Sequence, residues 1–167
     1  LENFETPELE ETGEFFMQDC QSLVSLKTPK VKIIGRYCVS KADSLVECDV
    51  SSLQLMGNGC FNSLGSLVHL EAPALEETGH ECFRHLIELV SLSAPNLWKI
   101  KHHCFSECHK LEEVKANALE GMGDDCFLTI PKLKVFEANA LKQVPFRLAH
   151  HSKNATRLQK LRLMFRF

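Results

Sequence analysis

The sequence predicts a repeat solenoid, in which copies of one short unit stack into a continuous coil. Seven consecutive segments of 22 residues follow one another without insertion or deletion, beginning at Leu1, Leu23, Leu45, Leu67, Leu89, Leu111 and Leu133. The clearest copies are LVHLEAPALEETGHECFRHLIE at 67–88 and LVSLSAPNLWKIKHHCFSECHK at 89–110. A single unit of this length cannot bury its apolar side, so neighbouring copies must stack to form a core. We therefore expect one domain over residues 1–167.

Five columns of the unit, numbered from its leading leucine, are apolar in most copies and predict the core: positions 4, 6, 9, 12 and 17. Positions 1 to 6 are expected to carry a strand, because positions 4 and 6 are apolar and position 5 is polar in most copies. Proline follows at position 7 in four copies, and it ends strand pairing because it has no N–H.

A second corner is expected at position 13, which is glycine in five copies and therefore predicts a backbone with positive φ. Lys101 and Pro145 occupy the same position in the other two copies. Positions 16 to 20 are expected to return along the opposite side as short extended or 3₁₀ structure, since no segment has a sustained helical period.

The last residues depart from the 22-residue frame and predict a partial eighth strand at 158–167. A shift of three residues places Leu158, Leu161 and Leu163 at positions 1, 4 and 6, which gives about seven and a half repeats. An apolar strand at the edge of a sheet favours pairing with a second chain, so a homo-oligomer through this edge is one expectation.

The unit L-x-x-L-x-A-P…(T/I/M)-G-x-x-C-F resembles the BspA-like leucine-rich repeats, and the resemblance covers about residues 1–154 in seven repeats. The resemblance implies a right-handed coil with a parallel β-sheet on one face and short turns on the other. It also implies a role in protein binding or adhesion and a place at the cell surface. The chain departs from the family pattern at position 16, where it has cysteine and the family usually has alanine.

Composition excludes several other functions. The chain has 44% apolar and 25% charged residues, as is usual for a folded globular protein, and it lacks a run of apolar residues long enough to span a membrane. No nucleophile elbow, phosphate-binding loop or H-E-x-x-H motif is present, so we expect no enzyme activity and no cofactor. Basic residues occur among aromatic ones only in the tail, which argues against nucleic-acid binding.

The eight cysteines are expected to be unpaired core residues. Five of them share position 16: Cys38, Cys60, Cys82, Cys104 and Cys126. Cysteine behaves as a small apolar side chain when it is buried, and side chains within one column run parallel and do not face each other. Unpaired thiols favour a reducing compartment such as the cytoplasm, against the surface location that the resemblance implies.

Position 14 places two histidines and a carboxylate on successive coils, and these are weak candidates for a metal site: His80, His102 and Asp124. No loop is expected to cover them, so an exposed polar turn is the main interpretation, and we expect no bound metal.

The outward positions of the predicted strands form the candidate binding face, on which four valines occupy position 2 of successive coils. Exposed contiguous apolar surface indicates a partner, although valine also favours strands for its own sake. The candidate contacts are Val24, Val46, Val68, Val90, Glu47, His69, Asp49 and Glu71. Trp98, in a predicted turn, is a candidate hot spot.

The sequence thus favours a module that binds a protein partner through its strand face. The alternative is a structural protein that stacks head to tail through its charged ends. Residues 1–22 hold seven acidic residues and no lysine or arginine, whereas residues 133–167 hold eight basic residues and one acidic residue. Such a contact between unlike ends would produce rings or filaments.

Overall fold

A computed structural model describes residues 1–142, which form six complete 22-residue coils and the first part of a seventh. We number the coils 1 to 7 from their leading leucines. Every strand pairing is parallel, and no helix occurs within the described residues. The predicted solenoid is therefore confirmed, while the predicted eighth strand at 158–167 lies outside the described part.

The first side of the coil carries a three-residue strand in each repeat, at positions 3 to 5. Its residue at position 4 points inward, so Leu70 and Leu92 are buried while Glu71 is exposed. These strands are β1 (Asn3–Glu5), β3 (Ser25–Lys27), β5 (Glu47–Asp49), β7 (His69–Glu71), β9 (Ser91–Ser93), β11 (Glu113–Lys115) and β13 (Val135–Glu137).

The second side carries a two-residue strand at positions 11 and 12, which the sequence did not predict. These strands pair in exact chain order into one continuous six-stranded sheet. Position 11 points out and position 12 points in, as at Leu55 and Met56. The strands are β2 (Glu11–Thr12), β4 (Ile33–Ile34), β6 (Leu55–Met56), β8 (Glu77–Thr78), β10 (Lys99–Ile100) and β12 (Gly121–Met122).

The third side, at positions 14 to 19, consists of turns and contains neither the extended nor the 3₁₀ structure that we expected. Positions 15 and 19 have positive φ in all six complete coils, and only Gly59 among them is glycine. This backbone directs the N–H groups of both positions to the next coil, as in Phe15 N to Arg36 O at 2.8 Å and Asp19 N to Ser40 O at 2.9 Å. The hydrogen bonds of the stack therefore continue without a strand.

The glycines at position 13 serve close packing, and the expectation of positive φ there is wrong. Gly59, at position 15, is the glycine with positive φ among the described residues. A Cβ atom added to Gly35 would lie 2.5 Å from the carbonyl carbon of Gly13, and one added to Gly123 would lie 2.5 Å from the amide nitrogen of His102. Glycine is thus used where the backbones of successive coils approach each other.

The core consists of the predicted columns, each continued from coil to coil. At position 17, four phenylalanines form a buried column: Phe61, Phe83, Phe105 and Phe127. Positions 1, 4, 6, 9 and 12 fill the remaining space, with the leucines at positions 1 and 9 almost all fully buried. Each coil therefore depends on its neighbours for its core, as in other solenoids.

None of the eight cysteines forms a disulfide, and the five at position 16 are buried, as predicted. Their thiols also make hydrogen bonds that the sequence did not reveal. Cys60 donates to the carbonyl of Gly35 at 2.7 Å, and Cys82 donates to that of Gly57 at 3.0 Å. The same contact recurs at Cys104 and Cys126. Desolvation by burial raises the pKa of the Cys60 thiol to about 12, so the group stays protonated as a donor.

Candidate binding surface

The strand face is the surface formed by the outward side chains of the first side, at positions 2, 3 and 5. Its predicted valine column is exposed in three coils, with 38% of Val24, 50% of Val46 and 40% of Val68 accessible to solvent, and Val90 is half-buried. The predicted neighbours Glu47, His69, Asp49 and Glu71 are all exposed on the same face. The structure thus places the eight candidate residues on one surface.

Carboxylates dominate this surface. Over the described residues, positions 2, 3 and 5 hold eight acidic residues and three lysines. Two of the lysines are engaged locally, Lys115 with Glu113 at 3.0 Å and Lys134 with Glu112 at 2.7 Å. Asp49 and Glu71 have no ion-pair partner within the described part of the chain. The middle of the strand face is therefore apolar with an acidic margin.

The strand ladder is interrupted between coils 3 and 4, and we call this interruption the seam. Strands β1, β3 and β5 form one sheet and β7, β9, β11 and β13 another, with no pairing of β5 to β7. At the other junctions, position 2 donates to position 2 of the preceding coil, as in Val90 N to Val68 O at 2.8 Å. The equivalent bond from Val68 to Val46 is absent, so the seam crosses the valine column that we expected to be continuous.

The seam extends into the core. The rings of Phe83 and Phe105 stack with centroids 5.3 Å apart and an interplanar angle of 11°. Those of Phe61 and Phe83, across the seam, lie 6.5 Å apart and are tilted by 51°. Phe61 is also the one described residue at position 17 with positive φ, at 54°.

Coils 3 and 4 nevertheless remain joined on their other two sides. In the second sheet, Leu55 and Met56 of β6 pair with Glu77 and Thr78 of β8. On the third side, Gly59 N donates to His80 O at 2.7 Å. The stack is thus continuous along these two sides, while the strand face and the phenylalanine column of the core are altered at the seam.

Cys48 occupies position 4 of coil 3, directly beneath the seam. It is half-buried, whereas the leucines in the same column of coils 2 and 4, Leu26 and Leu70, are 3% and 1% exposed. Desolvation of the thiol, with the charge of Asp49 beside it, raises the pKa of Cys48 to about 12. The residue is therefore a small neutral side chain where a leucine would fill more space.

Trp98 does not belong to the strand face. It lies next to β10 in the second sheet, where it is 38% exposed and the Nζ atom of Lys99 is 5.3 Å from the centre of its ring. A partner that contacts only the strand face would not reach it. Its role as a hot spot stays a prediction for a separate surface.

The position-14 residues are close together but are not arranged around a common centre. The rings of His80 and His102 stack in parallel with centroids 5.2 Å apart. The Nδ1 atom of His102 accepts a hydrogen bond from the backbone N–H of Asp124 at 3.0 Å, which occupies one nitrogen. Among residues 1–142, no three His, Cys, Asp or Glu side chains are grouped so as to hold a metal ion.

The acidic first coil is paired with the basic second coil. Four of its carboxylates bind cations one coil further on: Glu8 with Lys30, Glu10 with Lys32, Glu14 with Arg36 and Asp19 with Lys41. The two ion pairs of Arg36 and Glu14 form a bidentate contact at 2.9 Å. Much of the charge that suggested head-to-tail stacking is therefore satisfied within one chain.

Two features of the surface were not predicted from the sequence. One is the seam, for which the weak signals are cysteine in place of leucine at position 4 and the change from Val50 to Ala72 at position 6. The other is a stacked pair of exposed aromatic rings at position 15, Phe15 and Tyr37, with centroids 5.7 Å apart. No helix long and apolar enough to cross a membrane occurs over the described residues.

Comparison with solved structures supports the fold. A leucine-rich repeat protein of T. pallidum is 23% identical with a TM-score of 0.61, over 79% of this chain and 78% of that one. A leucine-rich repeat protein of Bacteroides ovatus is 17% identical with a TM-score of 0.50, over 88% of this chain and 58% of that one. At these identities the likeness concerns the fold alone. No curated protein sequence matches the chain.

The sequence itself matches a protein family. The BspA type leucine rich repeat region is found in six copies, over residues 1–112 and 76–149. These ranges include all six complete coils of the solenoid, and they cover most of the chain. The chain therefore belongs to the BspA-type leucine-rich repeat family.

Proposed function

We propose that the chain binds a protein partner through its strand face and performs no catalysis. Proteins of the BspA type are generally adhesion or protein-interaction modules. The observation that carries the proposal is the column of three exposed valines, Val24, Val46 and Val68, on a sheet face with no covering element in the described part. Exposed apolar residues grouped on one face of a sheet are a feature of interaction sites.

The proposal is tested by comparing two substitutions of matched exposure on different faces. Val68→Asp changes a residue that is 40% exposed on the strand face, and Leu55→Asp changes one that is 39% exposed on the second sheet. Partners captured from extracts of the source cells are identified by mass spectrometry. We expect Val68→Asp to lose a partner that Leu55→Asp retains, with both variants folded by circular dichroism. Equal capture by both variants would contradict the proposal.

Self-assembly through the charged ends is the weaker alternative. Of the seven acidic residues in coil 1, four are already ion-paired with coil 2. Exposed pairs of this kind contribute little stability each, but they reduce the field that would attract a basic end. The edge predicted at 158–167 stays a separate prediction.

A further inference from the structure

The seam leaves backbone hydrogen-bonding groups without their usual partners. The strand ladder is formed at five of the six described junctions, and it is absent at the junction of coils 3 and 4. The groups concerned are the carbonyl of Val46, the N–H groups of Val50 and Val68, and the carbonyl of Glu71, each of which is bonded at the equivalent place elsewhere. Val50 is only 2% exposed, and buried backbone N–H groups are almost always paired in folded proteins. An additional strand-like segment would supply these partners.

The side chains at the seam are apolar, and the one beneath it is small. Cys48 is smaller than the leucines of the same column, and it is half-buried where they are buried. Val46 and Val68 lie on either side of the opening and are among the more exposed apolar residues of the chain. A valine or leucine of a bound segment would therefore contact apolar atoms on both sides and below.

The charges around the seam favour a partner segment with positive charge. Coil 3 contains no lysine or arginine, and the strand face of coils 3 and 4 carries Glu47, Asp49 and Glu71. Glu47 accepts a hydrogen bond from the hydroxyl of Ser25 at 3.0 Å, and Asp49 accepts one from the backbone N–H of Ser51 at 3.2 Å. None of the three has a cationic partner within 4 Å in the described part. Complementary charge across an interface gives specificity, so a basic segment fits this surface and an acidic one does not.

We propose that the seam receives an extended segment of a partner protein in which apolar residues alternate with lysine or arginine. The segment lies along β5 and β7, places an apolar side chain over Cys48 and directs its basic side chains to Asp49 and Glu71. Its backbone pairs with the groups that the seam leaves open. This inference rests on the proposed function, because it specifies the partner of the same strand face.

The probe for this proposal is a short blocked peptide of alternating lysine and valine. Two control peptides share its length: one has glutamate for lysine, and one has N-methylated valines that cannot donate hydrogen bonds. Binding is followed by NMR titration of the isotopically labelled full chain.

We expect the lysine peptide to shift the amide signals of Val46–Val50 and Val68–Glu71. We expect each control peptide to bind weaker by on the order of tenfold or more. Equal binding of the glutamate peptide, or shifts confined to other coils, would overturn the proposal.

Substitutions in the protein separate the seam from the rest of the face. Cys48→Leu restores the side chain of neighbouring coils, so we expect it to reduce lysine-peptide affinity on the order of tenfold without lowering the thermal midpoint. The double reversal Asp49→Lys and Glu71→Lys is expected to exchange the preference from the lysine to the glutamate peptide. Glu77→Lys, which reverses a charge on the second sheet, is the control and should change neither the affinity for the lysine peptide nor the preference between the two peptides. Unaltered lysine-peptide affinity in both Cys48→Leu and the double reversal would overturn the seam as the site.

The two proposals fail in different ways. Suppose that Val68→Asp loses a captured partner while the seam variants bind the lysine peptide as tightly as the unaltered protein does. The strand face then binds its partner, but the seam does not receive a basic segment. If the lysine peptide binds at the seam while no partner depends on Val68, the inference stands as a peptide site and the proposed function fails.

Discussion

The thiols at position 16 fill an apolar column, and four of the five also donate to carbonyl groups of the preceding coil. The sequence predicted the first role, because five cysteines occupy one core position. It did not predict the second, because the acceptor of Cys82 is Gly57, which lies 25 residues earlier and becomes a neighbour only when the coils stack. The hydrogen bond gives a physical reason for cysteine at a position where alanine would leave the carbonyl unpaired.

Removing one such thiol tests this account. Cys82→Ala should lower the free energy of unfolding by about 1–3 kcal/mol, because it leaves the partly buried carbonyl of Gly57 without a donor and also opens a small cavity. Urea denaturation measures the change. Cys20→Ala is the control, since Cys20 is half-buried and its thiol has no hydrogen-bond partner within the described residues, and it should be less destabilising. Equal costs would show that the thiol donor contributes nothing.

The stacked histidines predict a dependence of stability on pH. Burial, together with the charges of His102 and Lys101 nearby, lowers the pKa of His80 below its ordinary value. The unfolded chain therefore binds the proton more readily, and the free energy of unfolding should fall as the pH decreases through about 6.5 towards the lowered value. His80→Asn, which copies Asn58 of the preceding coil, should flatten this slope. An unchanged slope in the variant would contradict the assignment.

At the scale of the element, the third side differs most from what the sequence suggested. Left-handed backbone occurs at positions 15 and 19 although residues such as Phe15, Lys41, Glu81 and Thr129 occupy them. For such residues the left-handed conformation is less stable in isolation by about 1–2 kcal/mol each, so the local sequence does not indicate it. The hydrogen bonds to the next coil stabilise it, and these depend on the whole stack. The second sheet was missed for a related reason, because two residues are too few to show an alternating pattern.

The glycines at position 13 provide a test at this scale, because the same substitution meets different surroundings in different coils. In coil 4, a Cβ atom added to Gly79 would lie 2.6 Å from the amide nitrogen of Asn58 and 2.7 Å from the carbonyl carbon of Gly57. At Gly13, in coil 1, no atom lies within 4 Å of the added carbon. We expect Gly79→Ala to destabilise the protein by about 1–3 kcal/mol and Gly13→Ala to be neutral or slightly stabilising. Thermal unfolding compares them, and similar midpoints would contradict the close-packing role.

At the scale of the whole molecule, the period of 22 residues was sufficient to predict a solenoid and its core columns. The period could not reveal that one junction is open, because every unit has the same length and nearly the same apolar positions. The seam depends instead on small differences between neighbours, such as Cys48 against Leu70 and Val50 against Ala72. The exposure of the valine column followed from strand alternation, whereas its interruption did not.

The ion pairs between coils 1 and 2 predict how the chain behaves in solution. Because these carboxylates already have partners, the mass measured by light scattering after gel filtration should not change between about 0.01 M and about 1 M salt, over which screening becomes nearly complete. A mass that falls as salt rises would contradict this prediction and favour stacking through the charged ends.

Residue-resolved hydrogen exchange distinguishes a continuous stack with one open junction from a strand ladder that is closed throughout. Amide protons without a hydrogen-bond partner exchange faster than those in a ladder. We expect the amides of Val50 and Val68 to exchange faster than their equivalents at closed junctions, Thr28 and Val90, while Gly59 and Gly79 on the other two sides of the same junction stay protected. Equal protection of Val50 and Thr28, and of Val68 and Val90, would mean that the ladder is closed at the seam and would contradict the account.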